Sequence, residues 1–88
     1  MNYRKIDPAL AATLNEVQNK TKADLLVFIQ TNRIPSPDQA NVLERLGINE
    51  AKSKRQIFTA TLSAQAVEEL SEQPWVSFLK LSRKLNLL

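Results

Sequence analysis

The side chains that most often carry enzyme chemistry are missing from this chain, whose 88 residues include no His and no Cys. Ser–His and Cys–His nucleophilic pairs, imidazole proton transfer, thiolate metal sites and disulfides are excluded together. Carboxylate and lysine chemistry is what the inventory leaves. Glu68 and Glu72 stand four residues apart, the spacing that brings two carboxylates onto one helical face, but such a pair on an exposed helix reads as a solvated face rather than a metal site. Ser63 has no base to activate it and reads as a helix cap. Lys52, Lys54, Arg55, Arg83 and Lys84 are the candidates for a basic patch, and Trp75 beside Pro74 reads as an edge of the core. With 12 basic and 9 acidic residues and a net charge of +3, nucleic-acid binding is permitted without being required, and nucleic acid is not expected as a partner. The expectation is a non-enzymatic domain with no cofactor and no metal.

The elements that must position these residues are clearest in the stretch 56–80. Ile57, Thr59 and Thr61 alternate with Phe58, Ala60 and Leu62, which predicts a half-buried strand with Phe58 on the core side. Because Phe58 shares its face with Ala60 and Leu62, the strand is not expected to offer nucleobases an aromatic platform. Ser63 then opens a helix whose inner stripe is Ala66, Val67 and Leu70, with Gln65, Glu68, Glu69 and Glu72 outside. Pro74 disfavours helical geometry at Gln73, and Trp75, Val76, Phe78, Leu79 and Leu81 supply a second strand. Joined through a helix, the two strands should run parallel.

Upstream, Met1 to Ile6 reads as a loose arm. Asp7-Pro8 starts an amphipathic helix over residues 8–18, with Leu10, Leu14 and Val17 on one face. Leu25 to Ile29 are five apolar residues in a row, which predicts a central strand buried on both faces. Ser36-Pro37-Asp38-Gln39 has the form of a capping box, and Ala40, Leu43 and Leu46 continue that helix inward. Gly47, the only glycine, stands where a left-handed residue would end it. Residues 49–54 are polar, so a strand there would be a short edge strand.

Setting the first helix aside, the order is strand, helix, weak strand, strand, helix, strand. This predicts an α+β fold, a ferredoxin-like βαββαβ antiparallel sandwich with an extra N-terminal helix. The expected organisation is an arm and amphipathic helix over 1–22, the sandwich over 23–82 and a tail over 83–88. No apolar run reaches the roughly 20 residues of a membrane span, and the first ten residues lack the apolar core of a signal peptide. A cytoplasmic protein with no membrane partner is expected.

Ala60-Thr61-Leu62-Ser63, Ala66-Val67, Glu69-Leu70 and Pro74-x-Val76-x-Phe78 resemble the C-terminal half of the subtilisin-type propeptide and proteinase-inhibitor family, with the match centred on residues 57–80. The resemblance implies a stand-alone inhibitor or folding chaperone of a subtilisin-like serine protease, docking through the open face of its sheet. It also implies that Leu85, Asn86, Leu87 and Leu88 lie in the substrate cleft, Leu88 in the pocket before the cleaved bond and Leu85 in the hydrophobic pocket three residues upstream. The sequence departs from the family where acidic residues usually follow the last strand, since here stand Lys80, Leu81, Ser82, Arg83 and Lys84. The helix over 8–18 is a second departure, and it is a candidate to cover the docking face. The alternative is a protein-interaction or oligomerisation module, such as a homodimer, using the same sheet face with no protease target.

Overall fold

The computed structural model describes residues 2–48 and 54–84. They form a short 3-10 turn at Tyr3–Lys5, then α1 (Pro8–Glu16), β1 (Leu25–Thr31), α2 (Pro37–Arg45), β2 (Ile57–Leu62), α3 (Ala64–Ser71) and β3 (Val76–Lys84). The three strands make one antiparallel sheet in the order β2-β1-β3. β2 and β3 therefore run parallel to each other, as a helical connection requires, but with β1 between them rather than side by side. This is an α+β sandwich compatible with a small ferredoxin-like arrangement. The edge strand expected at 49–54 lies outside the described residues except for Lys54, a bend with φ of 60°.

Each helix starts on a side-chain cap. Asp7 Oδ1 accepts from the Leu10 amide at 3.3 Å and Ser63 Oγ from the Ala66 amide at 3.1 Å. At α2 the box is complete, with the Gln39 amide donating to Ser36 Oγ at 3.3 Å and the Ser36 amide donating to Gln39 Oε1 at 3.1 Å. These contacts satisfy amides that have no partner inside the helix. Past the end of α2, Gly47 adopts φ of 105°. The Gly47 and Ile48 amides then donate to the carbonyls of Glu44 and Leu43 at 3.1 and 3.0 Å, a Schellman closure that sends Ile48 into the core.

A single core joins the helices to one face of the sheet. β1 contributes Leu25, Val27 and Ile29, β2 contributes Phe58, Ala60 and Leu62, and β3 contributes Val76 and Leu79. Leu10 and Leu14 of α1, Leu43 of α2, and Ala66, Val67 and Leu70 of α3 close over them. The expectation that β1 is buried on both faces is overturned. It is the central strand, but its residues alternate, with Phe28 and Gln30 exposed and Leu26 half-buried on the side away from the helices. All the helical cover lies on one side, so an unbroken apolar run here spans two unlike environments.

The N-terminal arm is not loose. Ile6 is buried and forms a parallel bridge to Leu79, and the Asp7 amide donates to the Leu79 carbonyl at 3.1 Å. Asp7 Oδ1 also accepts from the Leu81 amide at 3.0 Å, so one carboxylate both caps α1 and fastens it to the outer edge of β3. Lys5 Nζ adds a bond to the Gln73 carbonyl at 2.6 Å. α1 thus packs along β3 and into the core, leaving the opposite sheet face uncovered. β3 itself begins at Val76 rather than Trp75, whose carbonyl instead accepts from the Asn32 amide in the preceding turn. It also runs on to Lys84, three residues beyond Leu81.

Candidate docking face

Three rows of side chains cross the uncovered face. β1 pairs Gln30 with Ile57 on one side and Phe78 on the other, Phe28 with Thr59 and Lys80, and Leu26 with Thr61 on β2. Alternation on β1 and β2 places these residues opposite the core. On β3 the strict alternation would fail, because register shifts interrupt its pairing with β1 between Gln30 and Thr31 and between Leu26 and Val27. Residues 77 and 82 take up these shifts, and the first leaves Phe78 and Lys80 on the open face while Val76 and Leu79 remain buried.

The centre of the face is a shallow groove of about 280 Å³ lined by Phe28, Ile29, Gln30, Ile57, Phe78 and Lys80. Ile57 is 58% exposed and Phe28 39%, and both stand on strands rather than on a loop. A contiguous exposed apolar patch on a strand face is the kind of surface that other proteins cover. Its chemistry is contact and desolvation, with Gln30 and Lys80 as the polar groups that would fix orientation.

The residues singled out from sequence fall elsewhere or are accounted for. Leu85, Asn86, Leu87 and Leu88 lie outside the described residues, as does Lys52. Glu68 meets Lys20 at 3.8 Å, Glu69 meets Arg45 at 2.9 Å, and among the described residues no cluster of potential metal ligands occurs. Ser63 Oγ is occupied as a cap. Trp75 is half-buried and packs against the core, where the Asn32 side-chain amide reaches the neighbouring Pro74 carbonyl at 3.0 Å. Phe28 and Ile57 are the surface residues that sequence reasoning missed. For Ile57 the signal was present, since its alternation with Phe58 already puts it on the outer face. For Phe28 it was hidden within an unbroken apolar run.

No helix among the described residues is long and apolar enough to cross a membrane. No family model matches this chain, and neither the curated proteins nor the solved structures yield a match.

Proposed function

We propose that this domain is a propeptide-like inhibitor or folding chaperone of a subtilisin-like serine protease, with the open sheet face as its docking surface and Leu85 to Leu88 as the segment that enters the substrate cleft. The observation that carries this reading is the uncovered Phe28–Ile57–Phe78 surface, which α1 leaves free by packing on the other side of the sheet. The course of β3 supports it too. That strand crosses the docking face and continues to Lys84, the residue that precedes the proposed cleft segment in sequence.

Titration of a subtilisin with the full chain and with a chain lacking residues 85–88 tests the proposal. If Leu85 and Leu88 each bury a side chain in an enzyme pocket, the deletion costs roughly 3–6 kcal/mol at about 1.5–3 kcal/mol per Leu, or about two to four decades in inhibition constant. Equal inhibition by both chains, or none by either, overturns it.

A further inference from the structure

We infer that the open sheet face selects a protein surface with carboxylates set around an apolar ridge, so that the target protease is one with an acidic docking surface. This inference rests on the propeptide-like reading and adds the chemistry of the partner. β1, β2 and β3 together contain no Asp and no Glu, while β3 carries Lys80, Arg83 and Lys84. Among the described residues, every Asp and Glu lies outside these three strands. Two cations away from the open face lie near carboxylates, Lys20 3.8 Å from Glu68 and Arg45 2.9 Å from Glu69. Lys80 is exposed on the opposite side, directly across from Phe28, and has no carboxylate partner among the described residues.

A lysine beside two phenylalanines and an isoleucine acts in two directions at once. Against a neutral apolar surface its ammonium would be stripped of water without compensation, which opposes binding. Against a surface with a carboxylate in reach, the same group is paired and the apolar side chains around it can be buried. Attraction to one partner class and a penalty against another are together what specificity requires.

The face is a poor match for two other occupants. In a face-to-face dimer each copy would present Lys80 to a strand surface with no acid to meet it. A single-stranded nucleic acid would find Phe28 and Phe78 to stack on, but it would leave the 58% exposed Ile57 of β2 against a polyanion, where its apolar surface gains little.

The test uses two forms of one subtilisin, the first carrying Asp and Glu around the surface that receives the sheet and the second with Asn and Gln in their place. The full chain and its Lys80→Glu variant are titrated against both at low and high ionic strength, with thermal melting as a control on folding. The wild-type chain should inhibit the acidic enzyme about tenfold or more tightly than the amide form, and high salt should narrow that gap. Lys80→Glu should abolish or reverse the preference while melting as the wild type does. Inhibition that ignores both charge changes overturns the inference and leaves the inhibitor reading standing, whereas no inhibition of either enzyme overturns the inhibitor reading itself. A dimer closed through the sheet face, or saturable binding of single-stranded DNA that Phe28→Ala abolishes, also overturns the inference.

Discussion

Phe28 and Phe58 lie on neighbouring strands of one sheet, yet Phe58 is 1% exposed and Phe28 39%. Phe58 faces the helices opposite Ile29, while Phe28 looks away from them between Thr59 and Lys80. The two faces use the same backbone hydrogen bonds and differ only in what covers them. On the covered side Phe58 belongs to the buried apolar cluster, and its burial stabilises the fold. On the open side Phe28 keeps 39% of its surface in water, so its burial contributes less to folding. The surface that stabilises this domain and the surface proposed for docking are thus separated by the thickness of one strand layer.

That contrast can be broken most directly at Phe58. Truncation in a packed core removes both transfer energy and filling, so Phe58→Ala should cost about 3–5 kcal/mol. The whole domain is expected to hold only about 4–13 kcal/mol at the usual yield per residue. Urea unfolding should therefore show a large fall in midpoint or a chain unfolded in water, and a midpoint close to the wild type would mean that the core is not organised around this ring. Asp7→Ala comes next, at about 1–2 kcal/mol, because one carboxylate oxygen serves both an α1 amide and a β3 amide. Hydrogen exchange checks the location of the loss: the Leu81 amide should lose protection while that of Val27 at the sheet centre keeps it. Phe28→Ala should be the mildest for folding, about 1 kcal/mol or less, and should instead weaken inhibition of a subtilisin at least tenfold if the exposed ring is an anchor of the interface. A melting shift as large as that of Phe58→Ala would erase the distinction between the faces.

Local punctuation in this chain is legible because each signal acts over a few residues. Ser36 with Gln39, Ser63 and Gly47 mark helix ends through bonds that span three to five positions, and the structure places each mark where the sequence does. The alternation in β2 is equally local and correctly assigns Phe58, Ala60 and Leu62 to the core. What escapes is set by distant partners. Leu25 to Ile29 are apolar at every position, so nothing within the run says which side the helices will occupy. Ile6 stands in an arm too short to show a period, and its bridge to Leu79 shows why it is buried. The last turn of β3 is similar: Arg83 and Lys84 read as a charged tail, yet the ladder to Leu26 and Leu25 keeps them in the strand. The docking face was half legible, through Ile57 but not through Phe28.

The double role of Asp7 also fixes an order of events during synthesis. β1 is the first strand made, and both strands that pair with it come later. Leu81 follows Asp7 by 74 residues, an interval of roughly 4–15 s at common translation rates of about 5–20 residues per second. Through that interval Asp7 can cap α1 but has no strand to hold, and Ile6 has no edge to join. Closing the outer border of the sheet must therefore wait until β3 has been made, long after α1 can form.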